Sequence, residues 1–314
     1  MNDKAHRATD KRLARIERQL REIYSRSDRE IREKWEAYIN RIAEKAEKLR
    51  AKIDTADDKE AAEKAYKDFL RKSLYQDERY KQMVEQTAER LSHVNETAVA
   101  YVNGQLPPVY ALNYNQVAGQ MDGFAGISYT MVDENTVKNL ATSKKTLLPY
   151  KKVNGKKDIR WNTKRINAEV LQGILQGESV AQISKRLANV EAMNKESAIR
   201  NARTMVTSAE NKGRMDMLDK AEADGIVTQK VWRSAHDGRT RNAHLLLDGQ
   251  AKDPDKPFVV TVVEGKKHPH VVTYEIRYPG DPKADPAMVY NCRCTLTYKV
   301  VGFRKANGEI ERIT

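Results

Sequence analysis

Cys292 and Cys294, the only cysteines of the chain, stand one residue apart, and four of its six histidines, His236, His244, His268 and His270, precede them closely. Thiolates and imidazoles are good ligands for Zn²⁺, which takes about four donors in a tetrahedron, or three and a water. In a strand, residues i and i+2 project to one face, so a strand through Cys294 would turn both sulfurs the same way. We assign His244, Cys292 and Cys294 to such a site, with His236, His268 and His270 as further candidates. Paired zinc cysteines are usually separated by roughly two to four residues, and Cys-x-Cys departs from that spacing. The other reading is two small side chains packed under their module, with His244 hydrogen-bonded.

Charged residues crowd the same stretch. Arg239, Arg241 and Arg293 can fork onto carboxylates through paired N–H donors, and Asp237, Asp248 and Asp281 are the partners to hand. Such a network would hold together a module poor in apolar residues; alternatively these arginines face DNA phosphates. Trp232 reads as core at the edge of the module, because a lone tryptophan on a strand usually packs. Two enzymatic readings follow. A metal-dependent nuclease would gather His236, His244, His268 and His270 with Asp237 and Asp248 around an ion. His268-Pro269-His270 falls in a hairpin turn, however, where exposed histidine is common. An ADP-ribosyl transferase would rest on Glu309-Ile310-Glu311, and ordinary strand alternation after Asn307-Gly308 accounts for that pattern.

Read in order, the segments are Trp232, Asp237-Gly238-Arg239-Thr240-Arg241-Asn242-Ala243-His244, Asp248-Gly249, Tyr278-Pro279-Gly280-Asp281 and Asn291-Cys292-Arg293-Cys294. This ordered set resembles the phage minor head, or head-morphogenesis, proteins typified by the F protein of phage Mu. Ala202-Arg203-Thr204-Met205, Asn211 and Gly213 also resemble that family's approach to the module, so the likeness spans about residues 165–298. It implies a structural protein of the virion, without enzymatic activity. It further implies partners among portal and capsid proteins, a place in the capsid interior near the portal, assembly in the bacterial host cytoplasm, and contact with double-stranded DNA or its ejection.

The elements that must position these residues read as α+β: a long helical N-terminal arm, a helical middle and a small mixed α/β C-terminal module with β-hairpins. Residues 1–103 hold no glycine or proline, which favours long helices. Leu13, Ile16, Leu20, Ile23, Ile31, Trp35, Tyr38, Ile42, Leu49 and Ile53 recur mostly at threes and fours, a narrow seam for a hairpin or coiled coil, and a route to self-association. Thr55-Ala56-Asp57-Asp58 marks a break. Residues 104–162, with Gly104, Pro107 and Pro108, read as an irregular basic linker, in which Asn154-Gly155 could turn a hairpin. Residues 163–225 read as helices: one after a capping box at Ser179–Gln182, a longer one from about Lys195 to Ala223, lined by Ile199, Ala202, Val206 and Ala209 and stopped by Gly225. In residues 226–314, Phe258–Val263 and Val271–Ile276 pair around Gly265-Lys266-Lys267, Cys294–Val300 forms a strand, and Asn307-Gly308 turns a last hairpin.

Net charge is +13, with 32% charged residues and a mean hydropathy of −0.77. That surplus favours polyanionic partners. Lys144, Lys145, Lys151, Lys152, Lys156, Lys157 and Arg160 form a run suited to DNA phosphates or to a solvated loop. No apolar stretch approaches the roughly 20 residues of a membrane span, and the N-terminus lacks the apolar core of a signal peptide, so no membrane partner is expected. Two cysteines make no disulfide framework, and a reducing compartment is the default. No cofactor is expected beyond the candidate zinc.

Overall fold

The computed structural model describes residues 3–265, 267–305 and 307–313. Lys266, in the turn read from the sequence, and the N-terminal Met1-Asn2 lie outside them.

Helix α1 (Lys4–Thr55) begins where the Asp3 carboxylate accepts the His6 N–H at 2.8 Å. It ends at the expected break, and Asp58 caps α2 (Lys59–Leu70) by accepting the Ala61 N–H. A π-helical turn, Arg71–Tyr75, leads into α3 (Glu78–Met121). Helices α4 (Glu134–Ser143), α5 (Gly155–Leu175) and α6 (Val180–Ala223) follow. At the head of α6 the Ser179 hydroxyl accepts the Gln182 N–H while the Gln182 side chain accepts the Ser179 N–H, the reciprocal capping box read from the sequence.

Gly225, at φ +91°, turns the chain into β1 (Ile226–Arg233). Then come α7 (Asn242–Leu247), β2 (Ala251–Lys252), β3 (Phe258–Glu264), β4 (His270–Ile276), α8 (Pro286–Val289), β5 (Thr295–Arg304) and β6 (Ile310–Arg312). A four-stranded antiparallel sheet has the order β2-β1-β5-β6, with Trp232 opposite Leu296, and β3–β4 forms a separate hairpin. The architecture is α+β. No helix among the described residues is long and apolar enough to cross a membrane.

Four local expectations are corrected. Residues 104–121 are not irregular: α3 runs through Pro107 and Pro108. Each proline removes a helical hydrogen bond at a cost of about 3 kcal/mol, which is offset by complete burial of Leu106 and Val109 and near-complete burial of Tyr110. Asn154-Gly155 turns no hairpin; Asn154 caps α5, its side chain accepting the Lys157 N–H at 3.1 Å. The two helices expected over 180–223 are one, because Val190 and Asn194 are buried mid-way and no breaker interrupts them. Finally, β5 starts at Thr295, so Cys292 and Cys294 lie in the segment leading into the strand rather than within it.

Two compact units emerge, each drawn from separate stretches of sequence. Residues 18–100 and 152–199 form a helical unit. Its core joins Ile31, Trp35 and Tyr38 of α1 to Tyr66 and Leu70 of α2, Tyr80, Val84 and Leu91 of α3, and residues of α5 and α6. Trp35 donates its indole N–H to Thr87 at 3.0 Å, and Tyr80 its hydroxyl to Asn167 at 2.8 Å. The seam of α1 read as a hairpin or coiled coil is thus covered within the chain at Ile31, Trp35 and Tyr38, with Ile42, Leu49 and Ile53 partly buried beside them. Residues 1–17, 101–151 and 200–314 form the mixed unit. Its core sets Val117 and Met121 of α3 and Met215, Met217, Leu218 and Ala221 of α6 together with the sheet, the hairpin and the two cysteines.

Candidate functional site

The residues that could do chemistry converge in the mixed unit, on α6, α7, the loop between β1 and α7, and the segment from α8 to β5. Asn291 sits at φ +57°, a left-handed conformation that asparagine tolerates better than most residues. Its N–H is accepted by the Thr204 hydroxyl of α6 at 2.8 Å. The next carbonyls are held from the same helix: Thr207 donates its hydroxyl to Cys292 O at 2.7 Å, and Asn211 donates its amide to Cys294 O at 3.2 Å. The Asn211 amide oxygen also accepts the Leu296 N–H at 2.8 Å, which sets the start of β5. Gly280, at φ +79°, brings the Pro-Gly-Asp turn against α6; a Cβ there would stand 2.9 Å from the Ser208 nitrogen.

Held this way, both sulfurs face one imidazole. His244 Nδ1 lies 3.6 Å from Cys292 Sγ and 3.4 Å from Cys294 Sγ. All three residues are 2% exposed. Among the described residues, this is the group of three donors that could hold a metal ion, its ligand atoms lying within 4.8 Å of one another. The Cys294 N–H points at Cys292 Sγ at 3.4 Å, and the Ala235 backbone bonds the Cys294 sulfur. The hydrogen bond shared with Cys292, aided by His244, outweighs burial and pulls the Cys294 thiol down to about 4, while the same sharing and burial push Cys292 up. Trp232 is fully buried, edge-on to His244 and to Phe258 with ring centroids 5.4 Å apart in each pair. The Gly249 N–H closes on Trp232 O at 2.9 Å.

The arginine–aspartate network is present in part. Arg293 forks onto Asp237, one arm at 2.8 Å. Asp237 also accepts the Arg239 N–H and the Thr240 hydroxyl, so that Arg239 takes part through its backbone. The Arg241 guanidinium donates to the Tyr290 carbonyl. Asp248 accepts from the Ser234 N–H and pairs with His236, each at 2.8 Å, rather than with an arginine. Asp281 accepts the Lys283 N–H in its own turn.

The nuclease grouping is not assembled. His268 and His270 are exposed at the β3–β4 turn, and Asp237 and Asp248 are engaged as described. Glu309 and Glu311 are exposed, bonded to Asn307 and paired with Lys305. Of the basic run, Lys144, Lys145, Lys152, Lys156, Lys157 and Arg160 are exposed, but Lys151 is half-buried and donates to Asn201 at 2.8 Å. The run is divided between the two units.

The sequence marked Thr204 and Asn211 of α6 only through the family likeness, and it missed Thr207, Arg214 and the buried polar face that the four share. Thr204, Thr207, Asn211 and Arg214 step by three and four along a helix whose other faces are also buried. The periodicity was there to read, but a polar stripe normally faces solvent.

Three comparisons bear on this module. The family model described as Phage Mu protein F like protein matches residues 164–297. Minor head protein GP7 of Bacillus phage SPP1 is 23% identical over 298 residues, covering 93% of this chain and 85% of that protein. NAD(+)--arginine ADP-ribosyltransferase EFV of Enterococcus faecalis is 27% identical over 136 residues, 43% of this chain but 25% of that protein. No solved structure gives a significant match. Residues 164–297, with their buried His-Cys-Cys cluster and the α6 side chains that hold it, are thus the part of the chain that matches the family described as Phage Mu protein F like protein.

Proposed function

We propose that the protein is a structural minor head protein of a tailed phage, non-enzymatic, acting in head morphogenesis near the portal. The observation that carries this reading is the match to minor head protein GP7 along 85% of that protein's length, so that the likeness covers the helical regions as well as the C-terminal module. The match to the ADP-ribosyltransferase covers a quarter of that enzyme and gives no ground for transferring its activity. The buried His-Cys-Cys cluster, sealed from substrate, favours a structural role for the module. The protein belongs in the virion on this reading, with portal and capsid proteins as partners.

The net charge of +13 supports a non-specific contact with packaged double-stranded DNA. The test is purification of tagged protein from infected cells. Portal protein should co-purify, and mature heads should contain the chain. Heads of normal composition without it would sink the proposal. DNA affinity of the purified chain should fall steeply with salt, because phosphate contacts release counterions; a flat salt dependence would remove the DNA part of the reading.

A further inference from the structure

We propose that His244, Cys292 and Cys294 bind a single Zn²⁺ ion that cross-links α7 to the segment entering β5. Zinc bonds sulfur at about 2.3 Å and imidazole nitrogen at about 2.0 Å, which at a tetrahedral angle sets nitrogen and sulfur roughly 3.5 Å apart. The nitrogen–sulfur distances here are 3.4 and 3.6 Å. Both nitrogen–sulfur distances are thus those that one shared ion would set, and all three donor atoms lie within 4.8 Å of one another.

Hydrogen bonding accounts less well for the arrangement. The ring nitrogen has one lone pair and can accept one thiol proton, yet both sulfurs stand at nearly the same distance from it. A cation at the shared point satisfies both at once. The surroundings suit thiolates: the Cys294 N–H points at Cys292 Sγ, and the Ala235 backbone bonds the other sulfur. Such N–H donors neutralise charge on metal-bound sulfur and orient it.

The cluster is also built from behind. Thr207 and Asn211 hold the carbonyls of both cysteines, and Thr204 holds the N–H of Asn291 just before them. The hydrogen bonds of α6 therefore substitute for the turn that a longer Cys spacing would otherwise supply. The three residues are almost fully buried, so the ion is structural rather than catalytic. On binding, the Cys292 thiol gives up its proton to solvent, both sulfurs bind as thiolates, and a water supplies the fourth ligand.

The experiment uses the full chain, produced in zinc-supplemented medium without a metal-binding tag and dialysed against metal-free buffer. Elemental analysis should find about one zinc per chain. His244→Ala and Cys294→Ser should lower that content at least about tenfold, whereas His236→Ala, an exposed neighbour, should leave it unchanged. Because the cysteine variant could misfold, the wild-type chain gives an independent readout. Its thiols should resist a disulfide reagent until a strong chelator is added, and cobalt replacement should produce a sulfur-to-metal charge-transfer band. Wild-type protein with no zinc and two freely reactive thiols would overturn the proposal. An intact mass lower by two hydrogens, marking a Cys292–Cys294 disulfide, would overturn it as well.

Discussion

Arg214 of α6 is 5% exposed, yet its guanidinium reaches Asp3 and the Leu296 carbonyl, each at 2.6 Å, and the Asn113 amide oxygen at 2.8 Å. Beside it, buried Glu210 takes hydrogen bonds from Thr295 at 2.8 Å and from His6 at 2.7 Å. Burial works against charge on the His6 ring, but the hydrogen bond and charge of Glu210 outweigh it and raise its pKa from the ordinary 6.5 to about 9. The folded state therefore binds this proton more tightly than the unfolded chain does. Its contribution to stability is full below about pH 6.5 and is lost as pH rises through about 9. Wild-type protein should become less stable across that window, as read by denaturant midpoints at successive pH values. His6→Gln should flatten the trend. An equal slope in the variant would mean that another group titrates there.

At the scale of elements, packing repeatedly overrides local preference. Glycine inside a helix normally costs about 1 kcal/mol relative to alanine, so Gly213 in α6 looks like a position to improve. A Cβ there would stand 2.5 Å from the Tyr110 carbonyl oxygen and 3.2 Å from the Tyr114 nitrogen, both backbone atoms of α3. Forcing that contact apart costs roughly 1–3 kcal/mol, enough to cancel the propensity gain or exceed it. Gly213→Ala should therefore lower the melting temperature or leave it level. A clear rise would show that α3 and α6 are not so closely apposed. The same competition keeps α3 helical through Pro107 and Pro108, where composition alone predicted a break.

At the scale of the whole molecule, each compact unit is assembled from distant stretches, and α1, α3 and α6 each contribute residues to both. The mixed unit needs residues 1–17 as much as the C-terminal module: Asp3 partners Arg214, His6 partners Glu210, and Ala5 and Ile16 are buried. Removing one partner of a buried charge pair costs roughly 3–5 kcal/mol, a large part of the about 5–15 kcal/mol that holds an ordinary domain together. A fragment beginning at residue 101 should lack a cooperative thermal transition, followed by circular dichroism. A sharp transition at the full-length temperature would refute the dependence on the N-terminal segment.

Much of this was legible in the residues alone where the signal is local. The Ser179–Gln182 box joins groups three residues apart, the break at Thr55–Asp58 is marked by its own residues, and the β3–β4 hairpin is announced by two β-branched runs. The motif order from Trp232 to Cys294 marked the module, since the residues themselves carry the likeness. The partners of those residues were decided by the tertiary structure. The sequence named His244 with the two cysteines but kept three other histidines as candidates, and the fold separates them by placing His244 on the buried face of α7 while His268 and His270 face solvent. Likewise the partners of Thr204, Thr207, Asn211 and Arg214 are carbonyls, a carboxylate and an amide from residues far away in sequence, which no local pattern announces. A polar side chain's preference for water or for the interior depends on whether a partner meets it there, and that partner is supplied by the fold.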